Sequence, residues 1–322
     1  MTVVITGAAG FIGTRLAKAL AAQGELTDAA GRRFAIERLV LTDRVLPHAD
    51  PLDARIEAVS GDIADPAFVS TLIPADTRVV FHLAGIVSGT AEADFALGMR
   101  VNLDGTRNVL EACRALPRPA RLIYTSSIAV FGAPLPEAIR DDTLLRPALS
   151  YGAQKLACEI LLDDYSRRGF LDARALRLPG IVVRPPVPNG ALSGFNSDLL
   201  REPLAGRDYT APVGPNAVIW LMSVGRCVAN LMLAAELPAD AFSKRRALNL
   251  PCVVASIDEM VAAIARSGGS KPLGQVRYAP EPKLQAQFGG WPRDFRAARA
   301  LELGFAADES LDAIIRDHLA AQ

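Results

Sequence analysis

Histidine is scarce in this chain, cysteine is scattered, and neither sign of charge is in excess. The three histidines, His48, His82 and His318, share no ligand spacing, so no metal site is expected. His82 closes an apolar run and reads as a packed strand-end residue rather than a ligand. The four cysteines, Cys113, Cys158, Cys227 and Cys252, are far apart and form no C-x-x-C, which predicts free thiols in a reducing cytosol. Lys+Arg and Asp+Glu are both 35, so no basic surplus points to nucleic acid or an anionic membrane. No apolar run approaches the ~18 residues that a bilayer span needs. No charged stretch precedes Thr2, so no secretory leader is expected and a cytoplasmic location follows. Internal repeats and low-complexity tracts are absent as well. The 322 residues fit one large domain or two.

What is present is alternation. Short apolar, β-branched runs stand at Thr2–Thr6, Arg38–Thr42, Ile56–Ser60, Arg78–Leu83, Ala120–Thr125 and Ala173–Leu178. Segments with helical spacing lie between several of them: Phe11–Gln23, one long helix over about Glu92–Ala115, and another after Tyr151. Strands alternating with helices predict βαβ units and a parallel sheet. Residues 24–37 read as a loop. Beyond Pro179 prolines and glycines crowd the chain, and a smaller second lobe is expected. The predicted fold is therefore α/β, a doubly wound Rossmann-type parallel sheet with a smaller C-terminal substrate lobe. The sheet domain is assigned to 1–178 with 217–246 packing back on it, and the lobe to 179–216 and 247–322.

Gly7-x-x-Gly10-x-x-Gly13 lies between the first strand and the first helix. Glycines there permit a tight turn, close approach of a pyrophosphate and close helix–strand packing. The helix start then offers unpaired N–H groups to phosphates. Asp43 ends the second strand, where a carboxylate can accept from adenosine ribose hydroxyls and repel a 2′-phosphate, so NAD is favoured over NADP. Thirty residues separate Gly13 from Asp43 instead of the usual ~20, and Arg44 follows directly. After the third strand, Asp62 suits the adenine amine and Ile63 its ring; the plain alternative is an Asp turn.

Tyr151 and Lys155 lie at i and i+4, which on a helix sets Cβ atoms roughly 5–6 Å apart on one face. A tyrosine at its usual pKa of about 10 is a poor base. A nearby ammonium favours its phenolate. Thr125-Ser126-Ser127 stands upstream, and either serine can orient a substrate oxygen. The set suggests alcohol oxidation, with Tyr151 removing the hydroxyl proton, Lys155 holding the phenolate and the nicotinamide ribose, and a serine fixing the oxygen. Asn102, within the long helix, is either exposed or ties that helix to the strands.

These residues resemble the extended short-chain dehydrogenase/reductases, which include the nucleotide-sugar epimerases. TGAAGFIG at 6–13, HLAG at 82–85, VNLDGTRNVLEAC at 101–113, TSSIAVFG at 125–132 and YGAQK at 151–155 follow the family's order over about the first 180 residues. The resemblance implies a Rossmann domain, a C-terminal substrate lobe, and homodimers built on the two long helices, about 92–115 and 151–168. Aligning SSIAVFG on the family's serine motif puts the catalytic serine at Ser127. It also implies NAD contacts from Phe11, Ile12, Leu83, Ala84, Gly85, Asn102, Ser126, Pro179 and Ile181, beside Tyr151 and Lys155.

Epimerases of this family follow the sixth strand with an Arg-x-x-Asn-x-Tyr-Gly-Pro-like turn that holds a sugar nucleotide. Here the chain reads Arg177-Leu178-Pro179-Gly180-Ile181-Val182-Val183-Arg184-Pro185. The departure favours a small hydroxy acid. HLAGIVSGTAEADF at 82–95, PNGALSGFNSDLLREPLAG at 188–206 and GGWP at 289–292 resemble a subgroup that oxidises the 2-hydroxyl of four-carbon sugar acids with NAD. A carboxylate substrate needs a cation and donors, for which Arg184, Asn189, Ser193 and Arg201 are candidates, with Ser88 and Gly89 after the fourth strand. Arg184 is equally readable as an ion-pair partner. The alternatives are an epimerase or dehydratase holding NAD tightly, and a dinucleotide-binding redox sensor, which would have no need of Ser127, Tyr151 and Lys155.

Overall fold

The computed structural model describes residues 1–27, 31–48, 53–187, 190–242, 245–267 and 272–320. Contacts divide the chain into two units. The first holds Met1–Val130, Leu149–Arg177 and Val228–Leu248; the second holds Phe131–Ala148, Leu178–Cys227 and Asn249–Gln322.

The strands that organise both units are β1 (Thr2–Thr6), β2 (Arg38–Asp43), β3 (Ile56–Ser60), β4 (Thr77–His82), β5 (Arg121–Ser127), β6 (Asp172–Leu178), β7 (Gly180–Val182), β8 (Val218–Ser223), β9 (Ala247–Asn249) and β10 (Val253–Ser256). In the first unit seven strands form one sheet in the order β9-β6-β5-β4-β1-β2-β3. The pairs β1–β2, β1–β4, β2–β3 and β4–β5 are parallel. The order reverses at β1, which is the doubly wound arrangement expected; ligands of such sheets sit at the carboxyl ends of the strands at that switch. Val4, Val40, Val80, Leu122, Leu110 and Leu162 are buried together on this sheet.

Helix α1 (Phe11–Gln23) buries Gly13, Leu16, Ala17 and Leu20, the i, i+3, i+4, i+7 stripe of an amphipathic helix. It stops at Gly24, whose φ of 70° lets its N–H reach Leu20 O. Helix α2 (Pro66–Leu72) opens on Pro66 behind Asp65, whose carboxylate caps Ala67 N. Within the stretch expected to be a loop, Glu25–Thr27 and Arg33–Ala35 are strands that pair antiparallel. These two strands lie in the extra length between Gly13 and Asp43.

The expected long helix over 92–115 is broken. A short helix runs Ser88–Ala93, then Asp94 turns extended and caps a new start by accepting from Leu97 N. Aspartate favours that cap conformation, so the sequence carries its own break. Residues Met99–Asp104 form a π-helical turn, and α3 (Gly105–Arg114) follows. Helix α4 (Ser150–Arg167) is continuous.

In the second unit β7 pairs parallel with β8, and β8 antiparallel with β10. Around them pack α5 (Phe195–Leu204), α7 (Ile257–Ser267) and α8 (Leu311–Ala320), with α6 (Val224–Glu236) following β8 in sequence. The core holds Leu199, Ile219, Leu221, Met260, Ile264, Ile314 and Phe288. Trp220 and Trp291 stack with centroids 4.4 Å apart, and Trp220 Nε1 donates to Pro292 O at 3.0 Å, which anchors the GGWP segment. Two boundaries differ from the expected ones. Residues 131–148 group with the second unit, and so do 217–227, because β8 pairs with β7 and β10.

Candidate active site

The glycine turn fits a dinucleotide pyrophosphate. Gly7 has φ +74°, and a Cβ there would lie 2.6 Å from Ala84 N. A Cβ on Gly13 would lie 2.1 Å from Gly7 O. Neither site admits a side chain. No side chain caps α1 at Gly10, so the N–H groups of its first turn, at Phe11 and Ile12, stay open to an anion. Asp43 stands at the end of β2, as expected, and closes the turn: Oδ2 accepts from Ala9 N at 3.1 Å and Oδ1 from Arg44 N at 2.7 Å. Asp62 makes the plain Asp turn, accepting from Ala64 N at 2.9 Å, which leaves its second oxygen for a ligand. The Ile63 side chain is buried in the sheet core, with its Cδ1 and Cγ1 beside Gly105.

The segment after β4 is held from three sides. Leu83 N donates to Thr6 O at 3.1 Å, and Ala84 N to Thr6 Oγ1 at 3.3 Å. Thr6 Oγ1 lies 2.7 Å from His82 Nδ1, and His82 Nε2 lies 3.0 Å from Thr106 Oγ1, which donates to Asn102 O at 2.7 Å. Each hydroxyl has one proton, so the proton of the ring sits on Nε2. Burial, and then the charge of Lys155, pushes His82 down to about 3, so it is a neutral tether, in keeping with the packed reading. Asn102, 1% exposed, accepts from Ile86 N through Oδ1 at 2.8 Å. Of its two readings, the tie is the one found. The π-helical turn is what points this residue inward, and such turns recur at functional sites. Gly85 is exposed, with Asn102 Oδ1 directly behind it. Ser88 and Gly89 open the next short helix and are half-buried.

Alternation along β5 sends its two serines to opposite faces. Ser126 is buried and donates to Glu159, which also forms a buried ion pair with Arg177, Nη2 to Oε2 2.7 Å. Its one hydroxyl proton is thereby spent, which leaves it no side-chain donor for a cofactor or substrate. Ser127 is half-buried; its Oγ accepts from Ala129 N at 3.0 Å, which leaves its O–H to donate. Tyr151, Lys155 and Glu159 share one face of α4 at i, i+4 and i+8, a signal readable from spacing that sequence reasoning missed. Lys155 is 3% exposed. Its Nζ donates to Thr125 O at 2.9 Å and lies 4.6 Å from the Tyr124 ring centroid and 5.7 Å from that of Tyr151. Burial pushes this ammonium down to about 8, against the raising influence of Cys158 and Glu159. A buried, tunable cation beside a half-buried tyrosine and a donating serine is suited to moving one proton from an alcohol.

In the second unit Pro179 and Ile181 are buried, Ile181 paired with Met222 in the sheet. Arg184 receives Ser197 Oγ on its N–H at 3.0 Å, and its Nε donates to Ile181 O at 3.1 Å. Ser193 is half-buried in a turn ahead of α5. Asn189 lies outside the described residues. Arg201 differs from expectation: it pairs with Asp198, with Glu202 at 3.0 Å, and donates to Arg184 O at 2.6 Å. Its guanidinium serves the fold of α5, so it is withdrawn from the substrate set. Among the described residues no group of three His, Cys, Asp or Glu could hold a metal, and no helix is long and apolar enough to cross a membrane.

Known proteins agree with this geometry. The chain is 47% identical to D-erythronate dehydrogenase of Cupriavidus necator over 99% of its own length and 98% of that protein. It is 38% identical to D-erythronate dehydrogenase of Haemophilus influenzae, over 99% of both. A crystal structure described as the nucleoside-diphosphate-sugar epimerase from Agrobacterium tumefaciens superposes with a TM-score of 0.92 at 40% identity, covering 100% of this chain and 94% of that one. The model of the NAD dependent epimerase/dehydratase family matches residues 3–215. With that match laid over the glycine turn, the reversed sheet and the Tyr151–Lys155 face, the chain belongs to the NAD-dependent epimerase/dehydratase family, and its cofactor is NAD.

Proposed function

We propose that this enzyme is an NAD-dependent dehydrogenase that oxidises the 2-hydroxyl of a short sugar acid, D-erythronate, to 2-dehydro-D-erythronate. The observation that carries the chemistry is the buried Lys155 ammonium between the Tyr151 ring and the Thr125 carbonyl. The substrate rests on the two D-erythronate dehydrogenases at 47% and 38% identity. It rests also on the absence of an Asn-x-Tyr-Gly-Pro turn after Arg177.

Ser127 donates to the substrate hydroxyl oxygen and sets its orientation. Tyr151, as phenolate, takes the hydroxyl proton. Lys155 stabilises that phenolate through its charge. NAD, when bound, would be the two-electron oxidant, the acceptor for a hydride from C2. Asp43 and Asp62 hold the adenosine end and the glycine turn the phosphates. For the cation and donors that a carboxylate substrate needs, the second unit offers Arg184 and Ser193 and the first offers Ser88 and Gly89. The first unit thus carries the glycine turn together with Ser127, Tyr151 and Lys155. The enzyme works in the cytoplasm as a homodimer; Phe95 and Ile160, 62% and 63% exposed on the two expected interface segments, support that assembly.

The test is incubation with NAD and D-erythronate while following NADH absorbance. A rise saturable in erythronate is expected. The epimerase description attached to the 40%-identical structure supports a second reading. Silence with erythronate, threonate and other short aldonates, together with turnover of a UDP-sugar, would establish it instead.

A further inference from the structure

Gln154 lies one residue before Lys155 on α4 and is 3% exposed. Nothing in the proton transfer uses it. Its surroundings are nonetheless built to one arrangement. Ile86 N–H donates to Asn102 Oδ1 at 2.8 Å, which fixes which end of the Asn102 amide faces the segment after β4. The other end, Nδ2, then donates to Ile86 O at 3.2 Å and to Gln154 Oε1 at 2.8 Å. The orientation of Gln154 follows, because a flipped amide would set donor against donor. Its Nε2 lies where a Cβ on Gly98 would stand, at 2.4 Å, so only glycine at 98 admits this side chain. That Nε2 is buried without a hydrogen-bond partner, a cost the tether's other end offsets. On the far side, a Cβ on Gly85 would lie 2.9 Å from Asn102 Oδ1 and 3.7 Å from Lys155 Nζ. One continuous set of contacts therefore joins the Gly85–Ile86 segment, the π-helical turn and the helix that carries Tyr151 and Lys155.

We infer that Gln154 is a positioning residue: through Asn102 it holds the Gly85–Ile86 segment at the distance from Lys155 that the nicotinamide end of the dinucleotide requires. The inference rests on the dehydrogenase reading and adds a residue to it. Gln154 touches neither substrate nor cofactor; it acts through Asn102.

The test uses the full chain and measures NAD affinity by calorimetry, beside kcat and KM for the sugar acid at saturating NAD. Gln154→Leu keeps the volume and removes the acceptor. NAD binding is expected to weaken by about tenfold or more, the loss typical of a stranded buried donor, with KM for the acid unmoved. Gln154→Glu keeps an acceptor in place and should restore most of the NAD affinity, which a purely structural role of residue 154 would not predict. In an Asn102→Ala background Gln154→Leu should cost nothing further. Additive losses, or unchanged NAD affinity in a folded Gln154→Leu enzyme, would overturn the inference. Should Gln154→Leu not fold, Gln154→Asn, one methylene too short to reach, must show the same affinity loss. A wild type that binds no NAD would remove the dinucleotide reading itself, and this inference with it.

Discussion

Two cations on two helices meet opposite fates. Lys155 on α4 is buried against rings and a carbonyl, with burial pushing it down to about 8. Arg201 on α5 is wrapped by Asp198, Glu202 and the Arg184 carbonyl. From sequence both looked like cations that a ligand would meet. The difference is one of compensation: Arg201 finds its counter-charges within its own helix, whereas Lys155 is kept dry without a carboxylate of its own. A buried charge left so is costly to the fold, and such groups concentrate where chemistry is done. Neutralising each cation should therefore have opposite consequences.

The largest effect belongs to the partner of Lys155. Tyr151→Phe should lower kcat by about a thousandfold or more, a general base's share, with NAD affinity almost unchanged by calorimetry. Substantial residual turnover would end the assignment of Tyr151 as base.

Lys155→Met should lower kcat by about a hundredfold or more and yet leave the NAD-free protein as stable as wild type or more so. A shift from 10.5 to about 8 is on the order of 3 kcal/mol of penalty on the charged form. The folded pKa is depressed, so below about pH 8 both states are protonated and the penalty is fully present. Between about 8 and 10.5 the unfolded chain holds the extra proton, and the wild type gains stability as pH rises. The melting-temperature advantage of Lys155→Met should accordingly shrink from pH 7 to pH 10. A constant difference would contradict the burial account.

Arg201→Met is expected to do the reverse: about 1–3 kcal/mol of lost stability, because two carboxylates and a carbonyl lose their partner, with NAD affinity unaffected. Tryptophan fluorescence reads it directly, since Trp220 and Trp291 both lie in the second unit. A large rise in KM for the acid without lost stability would return Arg201 to the substrate set.

The smallest effect at neutral pH concerns His82. Its folded value of about 3 lies below the ordinary 6.5, so the unfolded chain takes up the proton first, and stability is lost as pH falls through that interval. The urea midpoint of wild type should drop from pH 7 to pH 4 more steeply than that of His82→Asn, which carries no titrating ring. Parallel slopes would mean that the Thr6–His82–Thr106 chain contributes nothing to acid sensitivity.

How much of this was open to reading depends on how local the cause is. The first strand, the first helix and the glycine turn were legible to the residue, because β-branched runs, a 3.6-residue period and a Cβ-free turn are properties of neighbours in the chain. The break at Asp94 was legible in principle, since aspartate caps helices, but the apolar period continued past it and masked it. The π-helical turn was not, as the contacts it serves, from Asn102 to Ile86 and Gln154, join three separate segments. Likewise only the family alignment separated Ser127 from Ser126 until Glu159 claimed the latter.

The sequence by itself determined the parallel sheet, the dinucleotide turn, and the spacing that puts Tyr151 and Lys155 on one face, because each is settled by contacts a few residues apart. Only the tertiary structure decided which polar groups are already spent. Ile63 went to the core, Ser126 to an ion pair and Arg201 to its own helix, while Ser127 and Lys155 were left with a proton to give. Hydrogen-bond partners are chosen by burial and by distance in space, and neither is written in the order of the residues.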